Sequence, residues 1–596
     1  MTTLSPSTWR ILRGIAYGAA VLAPLFLLLD LSIAFPRDWL IHVWTIGYYG
    51  EYFRQHHDLP LVLNTTPAVG IALPAFYCCL LYPLLGIFAA FLGAGLALRL
   101  ALLAMVAVQF YALMVAGRQT FGHARLAFMV AVSVIWATYS LTNLYSRGAL
   151  AEYFGAGFFF TAIAFGAAAI GSLPGSTRTF RSWLAGVFLI LAVGSHPPTA
   201  VLAGAFVALL LAGVAFAWSR SRVQIAGIPK WPLAALVLAG LLILGPWIYA
   251  SASLGSQLNI ASTMTFKFIP DHSDNIAARF SPFPSDMATT EEGIDDLMGA
   301  PYLEAPVNVV LLGLLGFNLW LLRRGRSRPE ANAAGTAVPR ALLAVSIGWF
   351  LFLAAVSVSP GLADVFHFAA PYIQYVYRLV SHCNAALLVG VFASGALVVR
   401  QGGYGRFQQE TNLILAVGLT IAILGVWIKL QHSGVMAVPG GNTSRPTLIV
   451  GRQREMGRTY STEDRTKDLV GQDARNSVGT GFPVGQAGAE FGETGPVRVN
   501  LKEAGWVRTN ALYFPWVELR SDGEKIAASQ LGRSDFFLAA HLPAGSHELR
   551  AVWQPDPVWL RLYRISQVAF AVLMVVTLAW AAARGWRAAA LASGTS

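Results

Sequence analysis

FPRDWLIHVWTIGYYGEYFRQHHDLP, Phe35 to Pro60, is the stretch on which the reading of this chain turns. It follows a membrane-length apolar run and carries two acids among aromatic residues, Asp38 and Glu51. His42 stands four residues beyond Asp38, so on a helix the two share a face. Pro36 near a helix start puts Asp38 in the first turn, where the helix dipole favours a carboxylate. That alone accounts for an acid at a membrane surface. A carboxylate beside an imidazole is also the pairing that takes a proton from an acceptor hydroxyl. Trp39 and Trp44 suit an interfacial belt, and Glu51 reads as a surface residue.

Composition sets the class. The chain has 596 residues, 56% hydrophobic and only 12% charged, against about 25% charged in soluble domains. Apolar runs of about 20 residues recur, which predicts a polytopic helical membrane protein. A net charge of +12 would point to nucleic acid in a soluble protein. Here Lys and Arg sit in short clusters between spans and act as topology signals, so no nucleic-acid partner is expected. The three cysteines, Cys78, Cys79 and Cys383, give neither a disulfide framework nor a metal-binding spacing. The first run, Ile11 to Ala34, lacks a small-residue cleavage site and reads as a retained span.

The basic clusters then orient the chain. They are Arg10 with Arg13, Arg118 with Arg125, Arg178 with Arg181, and Arg220, Arg222 and Lys230. RRGRSR from Arg323 with Arg340, Arg400 with Arg406, and Arg584 with Arg587 follow. Spans are expected at 11–34, 97–117, 126–143, 152–172, 182–196, 199–218, 231–251, 306–322, 341–360, 382–399, 410–430 and 564–583. Residues 67–93 are apolar enough to cross, but Pro74 and Pro83 break them. Counting them as a span would put several basic clusters on the wrong side. As a juxtamembrane or re-entrant element they leave about twelve spans, with both termini cytoplasmic. Loop 35–96, the tip at 143–152, the turn at 195–198, loops 252–305 and 360–381, and region 431–563 then face outward.

The expected organisation is a membrane domain over 1–430 with outer loop 35–96, a β-rich extracytoplasmic domain over 431–563, and a last helix and tail over 564–596. In the second region the strand-like runs are PVRVNL, WVRTNALYF, WVELR, KIAASQ, DFFLAAHL and HELRAVWQ. Turns such as SDGEK and LPAGSH separate them, as in a small β-sandwich. The cytoplasmic loops hold no nucleotide-binding glycine loop.

Three outward stretches besides the opening one collect polar residues. NLYSRGALAEYF, Asn143 to Phe154, places Tyr145, Arg147 and Glu152 at a membrane boundary, where ionised groups are costly. Either Arg147 and Glu152 neutralise one another or snorkel to the interface, or Arg147 binds a phosphate and Glu152 a sugar hydroxyl or a metal. GSHPPTA breaks a long apolar run at His196, as a structural histidine or a ligand contact. DVFHFAAPYIQYVYRLVSHCN, from Asp364, interleaves His367, Gln374, Arg378 and His382 with Tyr372, Tyr375 and Tyr377. That composition suits a lipid-phosphate head group as well as an interface belt. In loop 252–305, Asp271, His272 and Asp274 match no strong metal pattern, and Lys267, Arg279 and the EEGIDD run from Glu291 fit a solvated loop.

This arrangement resembles the GT-C class of polytopic glycosyltransferases: one span, an outer first loop with an acid, juxtamembrane pieces, then an outer tip with a second acid. YSRGALAEYF and SHPPT resemble segments of bacterial membrane proteins of that class. YFPWVELRSDGEK and LPAGSHELRAVW are similar to YfhO-like membrane proteins, where a β domain precedes a final span. The resemblance implies an all-α GT-C-like membrane fold of the bacterial cytoplasmic (inner) membrane, working on its periplasmic side. It implies transfer of a sugar from a polyprenyl-phosphate donor to an extracytoplasmic glycan or lipid acceptor. Asp38 would be the first-loop base and Glu152 the second acid. Many members pair two acids in the first loop, whereas here Trp39 follows Asp38. No cofactor is required on this reading, and a divalent cation is allowed.

A polyprenyl phosphate leaves readily, so the reaction needs a base for the acceptor and cations for the departing phosphate. Asp38 fills the first role. Arg147 and Arg378 fill the second, with His42, Tyr145, His196, Tyr377 and His382 as further substrate contacts. A single base-activated attack predicts inversion at the anomeric carbon, and retention would need a second close carboxylate. The rival expectations are a lipid or polysaccharide transporter, which favours related halves that are not seen here, and a non-catalytic envelope-assembly subunit.

Overall fold

The computed structural model describes residues 38–173, 175–221, 230–258, 306–324, 333–359, 376–436 and 494–593, with short pieces elsewhere. The described part of the expected first span includes the 3-10 helix Ala23–Leu29, and its residues 11–13, 15–17, 20, 31 and 32 lie outside the described residues. So do Lys267, Asp271, His272, Asp274, Arg279, the run from Glu291, and Asp364, His367, Tyr372, Gln374 and Tyr375.

The chain is a multi-pass membrane protein: nine described helices are long and apolar enough to cross a bilayer. The opening stretch forms α1, Asp38–His56, with Asp38 in its first turn and Arg54 and His56 in its last, as the dipole favours. Two strands follow, β1 (Leu63–Thr65) and β2 (Ala68–Ile71), then α2, Leu81–Leu92. The bundle comprises α3 (Ala94–Phe121), α4 (Ala124–Ile135), α5 (Leu150–Ile170), α6 (Ser176–Ser195) and α7 (Pro197–Ser221). It continues through α8 (Lys230–Leu254), α9 (Val309–Arg324), α10 (Ala333–Val358), α11 (Leu379–Arg400), α12 (Gln408–Met436) and α13 (Pro557–Ser593).

Nine described spans stand against the expected count of about twelve for identifiable reasons. The first span is described only in pieces, one of them the 3-10 helix Ala23–Leu29, α6 opens on the polar run STRTFRS, and α9 has only 16 residues. Both α6 and α9 still run between their neighbours. Successive helices therefore alternate in direction, and contacts of Gly171 with Gln119, Phe121 with Phe392 and Tyr404, Tyr404 with Asn318 and Arg181 with Ser172 gather several basic helix ends at one end of the bundle. Arg584 Nη2 donates to Thr177 Oγ1 there at 2.7 Å. Asp38, Arg147, His196 and Arg378 lie at the opposite end.

Segment 67–93 holds no helix long enough to cross a bilayer. Its one substantial helix, α2, has 12 residues and reaches about 18 Å, short of a hydrocarbon core of about 30 Å. α2 packs along α1 at glycine contacts. A Cβ on Gly86 would overlap Tyr49 Cβ, and one on Gly50 would lie 3.0 Å from Ala89 Cβ. Phe88, Phe91 and Leu92 on the other side of α2 are exposed.

The C-terminal region forms two small sheets, one of which takes strands from outside the 431–563 region where the sequence places a small β-sandwich. One runs β3 (Val497–Leu501), β8 (Gly545–Trp553), β5 (Val517–Ser521) and a short edge at Glu524–Lys525. The other runs β6 (Leu531–Ser534), β7 (Phe537–Leu542), β4 (Gly505–Leu512), β2 and β1. Outer loop 35–96 thus supplies two strands to a sheet whose others lie far along the chain, with Val69 paired in parallel to Ala511. KIAASQ is not one strand: Lys525 ends the short edge, Ala528–Gln530 is a 3-10 turn, and pairing resumes at Leu531. Only Ile526 in that run is buried, so it has no apolar face to lay on a sheet. The last helix starts at Pro557, ahead of the expected 564.

The alternation makes a topology prediction. A cysteine replacing exposed Thr66 should react with a membrane-impermeant maleimide on one side of the membrane. One replacing exposed Gln119 should react only from the other. Same-side labelling of the pair would refute the arrangement.

Candidate functional site

The site is built on a turn. After α4 the helix breaks at Trp136–Ala137, resumes at Thr138–Leu141 and widens into a π turn over Thr142–Ser146. Such wide turns recur at functional sites because they re-aim side chains. The Arg147 N–H reaches back to the Thr142 carbonyl at 2.9 Å, and Gly148, at φ +62°, supplies the left-handed residue that turns the chain into α5. Glu152 falls in the first turn of α5, at the positive end of its dipole.

Glu152 is the centre. Its side chain is 3% exposed and accepts from Tyr139 Oη at 2.6 Å, Asn143 Nδ2 at 3.1 Å and Arg147 Nη1 at 2.8 Å. Arg378 Nε approaches Oε2, the oxygen that Arg147 also meets, at 3.3 Å, from the 3-10 turn Val376–Arg378 that leads into α11. Arg147 is equally enclosed, with Nη1 against Asn143 Oδ1 and Tyr139 Oη and its guanidinium 4.7 Å from the centre of the Tyr377 ring. A carboxylate buried this deeply at a membrane boundary needs such partners, since an unpaired buried charge is costly. The three charged groups carry one net positive charge.

Around them stand the predicted histidines. His196 sits at the break between α6 and α7, buried, with Nδ1 3.0 Å from Thr199 Oγ1 and within electrostatic reach of Arg378, Glu152, Arg147 and His382. His382, in the first turn of α11, is 3% exposed and interacts electrostatically with Glu152. Its ring lies 6.0 Å from that of Phe159, and its Nδ1 is buried without a hydrogen-bond partner among the described residues.

The first-loop acid joins this cluster through the backbone. The Asp38 N–H donates to the Arg147 carbonyl at 3.2 Å, so the N-terminus of α1 docks on the tip turn. Asp38 is half-buried, beside His42 on the same helix face, as the spacing predicts. His42 is buried, and its Nδ1 lies 2.6 Å from Tyr82 Oη of α2. Burial lowers its pKa to about 4, with Asp38 opposing and Arg147 assisting. Beneath them the buried Arg99 reaches the Asp30 carbonyl at 3.2 Å and lies 5.8 Å from the Trp39 ring centre.

Of the residues expected at the site, Asp38, His42, Arg147, Glu152, His196, Tyr377, Arg378 and His382 converge. Tyr145 is engaged elsewhere: its hydroxyl donates to the Pro24 carbonyl at 2.5 Å and its ring packs 4.8 Å from Phe35. Tyr139 and Tyr82 also belong to the site, although each lies in an apolar run with no spacing to mark it. No cluster of His, Cys, Asp and Glu fit to hold a metal occurs among the described residues. One small cavity, lined by Gln109, Ser140, Asn143, Tyr153 and Gly157 among others, reaches the cluster through Asn143.

Compared with known proteins, this chain stands apart: no family model, no curated protein and no solved structure matches it.

The burial of these groups sets two measurable effects on stability. Glu152→Ala leaves Arg147 and Arg378 without their shared counter-ion and should destabilise the fold by about 3–5 kcal/mol, with Glu152→Gln milder, read as thermal unfolding in detergent. For His42, a depressed folded pKa means that the unfolded chain binds its proton first, so stability is lost as pH falls from about 6.5 to about 4. The His42→Gln variant should show a smaller drop in melting temperature between pH 7 and pH 5, by the share of about 3 kcal/mol that falls in that window.

Proposed function

We propose that this is a membrane glycosyltransferase that moves a sugar from a polyprenyl-phosphate donor to an extracytoplasmic glycan or lipid acceptor, in a bacterial inner membrane. The observation that carries this reading is the Asp38 N–H bond to the Arg147 carbonyl. It brings a half-buried acidic residue to the edge of a two-arginine, one-carboxylate cluster, at the end of the bundle opposite the basic clusters. A base and a cation site are the two things that transfer from a lipid phosphate requires.

The roles divide by exposure. Asp38 takes the acceptor hydroxyl proton as that oxygen bonds to the anomeric carbon. The bond from that carbon to the phosphate oxygen breaks, and its electron pair leaves with the phosphate. Arg378, whose side chain is 12% exposed against 5% for Arg147, is the cation that meets the phosphate. Arg147 and Glu152 hold it in place, so Glu152 serves as a positioning residue. His196 and His382 line the rear. Attack opposite the leaving phosphate gives inversion. The tight enclosure of Arg147 and Glu152 favours a second reading, in which the cluster is a structural lock of a non-catalytic subunit; a transporter is the third.

Asp38→Asn should lower sugar transfer by about 10²–10⁴-fold while leaving expression and melting temperature unchanged. The assay uses the purified protein in vesicles with a polyprenyl-phosphate sugar. Undiminished transfer by that variant sinks the proposed base. Flux of the lipid-linked sugar across sealed vesicles without product would favour the transporter.

A further inference from the structure

The far end of α1 is held as firmly as the site end, and by a different part of the chain. α1 closes at His56 with His57 in the left-handed region, φ +52°, and the His57 N–H bonded to the Phe53 carbonyl at 2.8 Å. The next residue, Asp58, takes both terminal nitrogens of Arg564 on α13, at 2.5 and 2.8 Å. Such a two-point arginine–carboxylate pair fixes geometry as well as distance. Tyr563, one residue earlier on α13, donates to the Pro60 carbonyl at 3.3 Å.

Residues 59–76 then lie against the C-terminal sheets. Val69 pairs with Ala511, and Asn510 Nδ2 donates to the Thr66 carbonyl at 2.9 Å. The hairpin is tied back to α1: the Asn64 N–H donates to Tyr48 Oη at 3.2 Å, and Asn64 Oδ1 accepts from the Gly70 N–H at 2.9 Å. Gly70 has φ +89°, and a Cβ there would lie 2.7 Å from Val517 Cγ2 of β5. The backbone of β2 thus presses on the other sheet where no side chain fits. Phe76 meets Phe514 edge-on at 6.2 Å, and Trp516 packs on Trp559 of α13 at 5.0 Å.

We infer that the C-terminal β unit with α13 is a brace for α1, and that Asp58, Arg564 and Gly70 are positioning residues that set where Asp38 and His42 stand. The lever is short and stiff. α1 rises about 27 Å from Asp38 to His56, its middle pinned on α2 at Gly50 and Gly86. A shift at the Asp58 end therefore reaches the Asp38 end without the helix having to unfold. The brace holds α1 in place whether or not the proposed sugar transfer is right.

The test is hydrogen–deuterium exchange on the full chain in lipid nanodiscs, reading peptides over 38–56 and, separately, over 497–553. Asp58→Arg and Arg564→Asp should each speed exchange over 38–56 by about tenfold. The double variant, which restores the pair with its charges exchanged, should bring it back to within about twofold. Gly70→Val, which attacks the same brace by steric strain, should give the same acceleration with both charges intact. Unchanged exchange over 38–56 in the single variants and in Gly70→Val would overturn the brace. So would a rise that the double variant fails to reverse. Where transfer is measurable, turnover should fall as the exchange over 38–56 rises, while the affinity for donor is kept. A wild-type protein without transfer activity removes the proposed function but leaves the exchange result to decide the brace.

Discussion

A carboxylate buried at the membrane boundary is the constraint around which the site end of this molecule is arranged. Glu152 cannot stay ionised there alone. Its partners arrive from four places: Tyr139 before the π turn, Asn143 within it, Arg147 after it and Arg378 from the start of α11. Each is itself expensive to bury unless the others are present. The break at Trp136–Ala137, the widened turn and left-handed Gly148 are the backbone adjustments that let one short segment present three of the four. Removing any one member leaves the rest uncompensated, so the tip turn is a unit rather than a set of contacts.

α1 carries that order outward. Its first N–H is one of the unsatisfied donors that every helix start leaves, and the Arg147 carbonyl accepts it. From there the glycine contacts with α2 let the two helices approach closely, and the ion pair to Arg564 fixes the other end. Three kinds of interaction thus hold one helix: a backbone bond near the charge cluster, close packing in the middle, and a charge-assisted bond just past the far end.

Much of this is legible in the sequence, and the exceptions have physical causes. Spans such as Leu150–Ile170 and Leu379–Arg400 are read directly from apolar length, and the basic ends from composition. The i, i+4 spacing places Asp38 and His42 on one face. What spacing does not convey is pairing across distance. Tyr82 meets His42 from forty residues away and looks like any aromatic in an apolar run. β2 joins a sheet whose other strands, β1 apart, follow the twelfth helix, and the short alternation in LNTTPAVGI is too brief to announce a strand. A single sandwich is the natural reading of the C-terminal runs taken as a closed set, whereas one of the two sheets they form is completed from the first outer loop. Tyr145 groups with its neighbours in the tip by position, yet a π turn rotates successive side chains differently from an α turn, and its hydroxyl faces Pro24.

The Pro-Pro turn at His196 shows how the outer loop and the bundle depend on each other. Pro197 and Pro198 begin α7 without N–H groups, which suits the first turn of a helix but leaves the carbonyls at the end of α6 without their usual donors. Inside a membrane protein such groups must be satisfied by protein. The segment between β2 and α2 does this: the Leu80 N–H donates to the Gly194 carbonyl at 3.1 Å, and Cys78 Sγ approaches the Ser195 carbonyl at 2.9 Å. The approach is possible because residue 194 is glycine, where a Cβ would overlap the Leu80 side chain. Trp247 of α8 closes the arrangement by donating to the Phe76 carbonyl at 3.1 Å. The loop that begins with Asp38 therefore ends by capping the helix that leads to His196. Both ends of that loop abut the cluster around Glu152, and its middle is held by the C-terminal sheets. A chain segment tied down in this way cannot move at one end without disturbing the histidine at the other.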